Sequence, residues 1–156
     1  MEKVKVFLGG TVSSSKWREN LIEQLDPEAV DYYNPCVREW SMETYHEENY
    51  HSSTDDLYLC VIAPEGRGFI KTISNYTNAL NERKKHPESI ILCILDEEDG
   101  TMIEGEQLYQ TLKLVDAAMK SGIIVLSSLE EVAAYLNGYS KKQNTSSRPK
   151  RFFKKQ

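Results

Sequence analysis

The run Leu57–Ile62, LYLCVI, constrains this chain more than any other feature. Six successive apolar residues, Tyr58, Val61 and Ile62 among them, leave no polar face for solvent and read as a buried strand. A glycine-punctuated turn follows over residues 64–68. A helix over about residues 70–80 comes next, with Ile73, Tyr76 and Leu80 spaced i, i+3, i+7. In open α/β sheets a ligand sits at such a junction, beyond the carboxyl end of a strand and near the point where strand order reverses. The distribution of carboxylates is unusual for a hydrolase or transferase built there. Asp55, Asp56 and Glu65 lie before or in the turn, and no other acidic residue follows until Glu82.

The same alternation of strand and helix signals runs through the chain. A β-rich run at residues 4–8 leads into Gly9, Gly10 and Thr11, and a helix follows with Ser14 or Ser15 as N-cap and Trp17, Leu21 and Leu25 at i, i+4, i+8. Residues 29–33 form a second strand that stops at Asn34-Pro35. The polar stretch 37–54, rich in Glu, His and Tyr, reads as a loop plus a short helix. A fourth strand at residues 90–95 is left through the acidic turn 96–100. The clearest helix spans residues 107–120, with Leu108, Leu112, Val115 and Met119 as its apolar face and Gly122 at the C′ position. A fifth strand at residues 123–126 precedes Ser128-Leu129-Glu130-Glu131, which fits a capping box for a last helix ending at Asn137-Gly138. Five strands separated by helices predict a parallel sheet covered on both faces. The expected architecture is an α/β, flavodoxin-like three-layer sandwich of strand order 2-1-3-4-5, with the ligand crevice beyond strands 1 and 3.

At 156 residues this is one ordinary domain. No apolar run is long enough to span a bilayer, and the N-terminus lacks a signal-peptide core. Cys36, Cys60 and Cys93 are scattered, and the last two fall in apolar strand-like runs, so a reducing cytoplasm is the expected setting. The net charge of −5 is uneven. Residues 1–138 form the expected domain, and the segment from 139 onward carries seven Lys and Arg and no acid. The preceding body holds 12 basic against 24 acidic residues, a net −12. The tail reads as a flexible basic terminus, with solvation as its plain role and contact with nucleic acid or the acidic body as the alternative.

Several constellations are excluded or open. No P-loop and no Gly-x-Ser-x-Gly elbow occurs. Gly66-Arg67-Gly68 begins like a dinucleotide fingerprint, but Lys71 stands where the third glycine belongs. His46 and His51 are five apart, so on a helix they diverge by about 140° and do not form a metal pair; no metal or other cofactor is expected. Cys36 reads as structural rather than nucleophilic. Tyr32, Tyr33, Trp40, Tyr45 and Tyr50 form an aromatic-rich region, part core and part stacking surface for a nucleobase. Gly9 and Gly10 either free backbone N–H groups for a ligand or only permit a tight turn.

The segments VFLGGTVSSSKWRENLIEQL, DYYNPCVREW and DDLYLCVIAPEGRG, in that order, resemble the nucleoside 2-deoxyribosyltransferase-like family. The likeness extends more weakly through SIILCIL and IIVLSSLEEVAAYLN and covers about residues 4–137. The block Phe7–Thr11 with Trp17-Arg18, then Tyr33-Asn34-Pro35 and Trp40, is its most specific part. The resemblance implies a flavodoxin-like fold, a homo-oligomer, and cleavage of the N-glycosidic bond of a deoxynucleoside or nucleotide. It further implies a glutamate nucleophile in the helix after the glycine turn, helped by aspartates.

Carried over by position, Gly9, Gly10 and Thr11 match the first ligand loop, Asn34 and Trp40 the end of the second strand, and Asp56 the aspartate that opens the third. The nucleophile position falls on Ser74, or on Asn75 with a different gap, and neither forms a glycosyl ester. Asn75 is suited to a ribose hydroxyl. Arg67 and Lys71, beside Gly66 and Gly68, favour a phosphorylated ligand. Two readings follow: an N-glycosidic enzyme using a displaced carboxylate, Glu65 or Asp56, or a nucleotide or signal-molecule binder that does not cleave its ligand. A TIR-like domain is a third, and it requires a comparable glutamate.

Overall fold

The computed structural model describes residues 2–12, 15–36, 39–64 and 68–139. The basic tail from residue 140 and the turn residues Glu65, Gly66 and Arg67 lie outside the described residues. Strands β1 (Val4–Gly10), β2 (Val30–Tyr33), β3 (Leu57–Ile62), β4 (Ile90–Ile94) and β7 (Ile124–Leu126) form one parallel sheet in the order β2-β1-β3-β4-β7. Counted among the sheet's own members this is the expected 2-1-3-4-5, because β5 (Glu97–Glu98) and β6 (Thr101–Met102) pair only with each other. The acidic turn read at residues 96–100 is thus a small antiparallel hairpin, turned through Asp99 and Gly100 at positive φ.

Side chains alternate across the sheet, as strand geometry requires. Leu57, Leu59 and Val61 of β3 join Val4, Val6 and Leu8 of β1 on one face. There they pack against Trp17 and Leu21 of α1 (Trp17–Ile22) and Val132 and Leu136 of α5 (Leu129–Asn137). Tyr58, Cys60 and Ile62 face the other way with Phe7 and Leu92. This second layer holds Tyr76 and Ala79 of α3 (Phe69–Glu82) and Ala118 of α4 (Gly105–Lys120). Every residue of β3 is buried, which is the physical content of its unbroken apolar run. Among the described residues no helix is long and apolar enough to cross a membrane.

Local chemistry explains most element ends. Ser128 caps α5 by accepting the Glu131 N–H at 3.1 Å, while the Glu131 carboxylate accepts from the Ser127 N–H at 2.8 Å, so the expected box closes one residue early. Gly122, at φ +83°, follows α4 as expected. The inner face of α4 differs from the expectation. Leu108 and Leu112 are exposed, and Thr111, Ala118, Leu114, Val115 and Met119 face the sheet. The i, i+4 leucine stripe lies about a quarter-turn from the surface that packs. A full helix, α2 (Met42–Thr54), stands where a loop with a short helix was expected. Its sequence carries almost no apolar periodicity and no residue of it is fully buried.

Candidate functional site

β1 is central, with β2 on one side and β3 on the other, so the chain leaves the carboxyl ends of β1 and β3 in opposite directions and opens a crevice between them. The crevice has a volume of about 210 Å³. Its floor is Phe7, Gly9, Gly10 and Tyr58; its walls include Pro35, Cys36 and Trp40 from the loop after β2, Glu48 from α2, and Lys71, Thr72 and Asn75 from α3.

The floor is held by a buried cation. Arg18 is 6% exposed and stacks on Trp17 with its guanidinium carbon 4.3 Å from the ring centroid. Its Nε donates to the Leu8 carbonyl (3.0 Å), Nη1 to that of Thr11 (2.8 Å) and Nη2 to that of Gly10 (3.2 Å). The Trp17 Nε1–H donates to the same Thr11 carbonyl at 2.8 Å. The loop is also stitched to β3: the Thr11 N–H donates to the Val61 carbonyl (2.9 Å) and the Thr11 hydroxyl accepts from the Ala63 N–H (3.1 Å). Thr11 is therefore fully buried and turned away from the crevice. Gly10 is constrained by packing as well as by its φ of +131°, since a Cβ there would lie 2.3 Å from the Val61 carbonyl oxygen. Gly10 lets β1 and β3 approach closely, and Gly9 and Gly10 leave the backbone bare at the crevice floor.

Of the residues expected at the site, Gly9, Gly10, Trp40, Lys71 and Asn75 come together here. Asn34 shapes the wall from behind, its Oδ1 accepting from the Cys36 N–H at 3.0 Å. Trp40 is half-exposed, and the Lys71 ammonium sits 5.9 Å from its ring centroid. Gly68, at φ +77°, is the N-cap of α3. Ser74 and Asn75, the two residues on which the nucleophile position falls, line different cavities. Asn75 lines the crevice, whereas Ser74, next to it on α3, lines a groove between α3 and α4 with Phe69, Ile70, Ile73 and Leu114. That groove is larger, about 440 Å³, but its lining is mostly apolar and includes no carboxylate. Asp56 lies at the opposite end of β3 from the crevice, where its carboxylate accepts the Lys5 N–H at 2.9 Å. The structure does not bring it together with the crevice residues. Glu65, Gly66 and Arg67 lie outside the described residues.

Glu48 has no counterpart in the sequence reading. It sits mid-way along α2 and is partly buried, and loss of hydration there raises its carboxyl above the usual range, opposed by the positive charges of Lys71 and Arg18. Both ends of α2 are tied down. At the start, the Ser41 hydroxyl accepts from the Thr44 N–H and the Thr44 hydroxyl from the Ser41 N–H (3.1 and 2.9 Å), so the capping box forms with Thr in the Glu position. Toward the end, His51 stacks on Tyr33 with centroids 4.1 Å apart and pairs with Asp55 at 2.9 Å, and Arg83 donates to the Ser52 and Asp55 carbonyls at 2.9 and 2.8 Å. Tyr32, Trp40, Tyr45 and Tyr50 are exposed and Tyr33 is only partly buried, so the aromatic-rich region supplies little core. The helical spacing of Thr44, Glu48, His51 and Ser52 was the available signal, but that inner face is polar.

Comparison with known families matches residues 3–96 to the family described as nucleoside 2-deoxyribosyltransferase like. This span is more than half of the chain and contains every residue that lines the crevice. No curated protein matches the chain.

Proposed function

The chain belongs to the nucleoside 2-deoxyribosyltransferase-like family, and from that premise we propose that it binds a nucleoside or nucleotide in the crevice beyond β1 and β3. The observation that carries this reading is the convergence of four kinds of contact in one cavity. Bare backbone at Gly9 and Gly10 permits close approach of a ligand. The half-exposed Trp40 offers a face for a base. Asn75 supplies donor and acceptor groups for a sugar, and Lys71 supplies a cation at the rim for a phosphate.

The nucleophile position falls on Ser74 or Asn75, a hydroxyl or an amide where a retaining mechanism requires a carboxylate, so a glycosyl ester to a carboxylate does not form there. The family's N-glycosidic chemistry, if performed here, draws on another group.

Titration calorimetry with the four 2′-deoxynucleosides and their 5′-monophosphates tests the reading. We expect binding, preference for a monophosphate, loss of that preference in Lys71→Ala, and roughly tenfold weakening in Trp40→Ala, equivalent to about 1.4 kcal/mol of lost stacking. Absence of binding by the whole panel would overturn the proposal.

A further inference from the structure

Among the described residues that line the crevice, Glu48 is the one carboxylate. It forms no ion pair or hydrogen bond among them. It does not come from α3, on which the sequence argument centred, but from a helix that contributes almost nothing to the apolar core. The helix is nevertheless well anchored. Ser52, one turn beyond Glu48, has its carbonyl gripped by Arg83 through Nε at 3.2 Å and Nη2 at 2.9 Å, and Arg83 is itself buried. His51 is clamped between Tyr33 and Asp55. A polar helix fixed this firmly, with a partly buried acid lining a cavity that two cations also line, fits a placed reactive group better than a solvated surface.

We propose that Glu48 is the general base of a hydrolysis by single displacement, in which water rather than a protein side chain attacks the anomeric carbon of the bound nucleoside or nucleotide. The proposal rests on the ligand reading above and adds the residue that acts and the single-displacement route. Water supplies the oxygen. As its O–C1′ bond forms, the C1′–N bond breaks and its electron pair leaves with the base. Glu48 takes one proton from the water; the other stays on the new sugar hydroxyl. The departing base is protonated from solvent, and the Glu48 proton returns to solvent, so the carboxylate is restored and no oxidant, reductant or metal takes part. Asn75 lines the same crevice as an amide and forms no glycosyl ester, which leaves the attack to a water that Glu48 activates. Partial burial suits it too, because a carboxylate that is a stronger base than usual accepts a proton from water more readily. The positive charges of Lys71 and Arg18 favour the ionised carboxylate, the form that a base requires.

The experiment measures binding and turnover separately on the full chain. Each 2′-deoxynucleoside and its 5′-monophosphate is titrated by calorimetry, then incubated with enzyme alone and with a second free base, and free base, free sugar and exchanged nucleoside are quantified by chromatography. We expect free base and free sugar in equal amounts and no exchanged nucleoside. Glu48→Gln should lower turnover by about 10²–10⁴-fold while binding changes less than threefold, and the basic rise of the wild-type rate with pH should disappear in the variant. Circular dichroism and the retained binding show that the variant is folded. Turnover retained by Glu48→Gln would overturn the role of Glu48. Exchange into a new nucleoside would overturn single displacement. Binding by the wild type with no base release would overturn the hydrolysis and leave the ligand reading standing. No binding at all would overturn both.

Discussion

Gly10 and Arg18 set the crevice floor by two different demands, one steric and one electrostatic. Any side chain at Gly10 meets the β3 backbone, so Gly10→Ala should lower unfolding free energy by at least about 2 kcal/mol in urea titrations, through strain at positive φ and overpacking together. Glu48 makes the opposite kind of demand, since its folded pKa is raised and the carboxylate is therefore a burden on the fold. The sign follows from linkage. A group with a raised folded pKa adds stability that is full below its unfolded pKa of about 4.3 and is lost as pH rises through the folded value. Relative to Glu48→Gln, the wild type should be most stable near pH 4 and lose that advantage as pH rises further, as read from urea midpoints across the range. Such a cost is what the exchange of stability for function predicts for the role proposed for Glu48. One thiol, Cys36, reports on the same cavity. Burial pushes Cys60 up to about 12 and also raises Cys93, whereas Cys36 is exposed at the crevice wall. A chromogenic thiol reagent should modify Cys36 alone in the native protein, and a bound nucleotide should slow that modification at least several-fold.

At the scale of elements, α3 separates two neighbouring residues by function. Residues 71, 72 and 75 turn to the crevice, and residue 74 turns to the groove shared with α4, because one residue along a helix is a rotation of about 100°. A carboxylate introduced at the two positions should therefore behave differently. Asn75→Glu should give base exchange between deoxynucleosides and a glycosyl adduct detectable by mass spectrometry of the intact protein, and Ser74→Glu should give neither. The contrast with α2 explains what the residues alone conveyed about each element. α3 buries Thr72, Tyr76 and Ala79, and the apolar spacing of Ile73, Tyr76 and Leu80 announced it. α2 rests on a polar cavity and on Tyr33, so its inner face is Thr, Glu, His and Ser, and hydrophobic periodicity had nothing to register. α4 was visible as a helix but not in its rotation, because two of its four stripe residues are exposed.

For the whole molecule, the sheet is the shared wall of two cores. Trp17 on one face and Tyr76 on the other are both buried, yet they touch strands that are hydrogen-bonded to each other. Trp17→Ala and Tyr76→Ala should each cost about 3–5 kcal/mol and shift one common unfolding transition, followed by circular dichroism and by fluorescence, rather than melt one layer alone. The sequence by itself determined the parallel five-stranded sheet, its order and the place of the crevice. Those follow from local patterns: unbroken apolar runs, alternating helices, and glycines at strand ends. It also carried the family resemblance, since residues 3–96 hold the matched pattern in order. Only the tertiary structure decided which side chains meet in the crevice. Asn75 enters and Ser74 does not, Thr11 turns inward, Asp56 stays at the far end of β3, and Glu48 arrives from a helix 27 positions before Asn75. The physical reason is that a strand or a helix is specified by neighbours a few residues away, whereas a site is specified by the rotation and packing of elements that are distant in sequence.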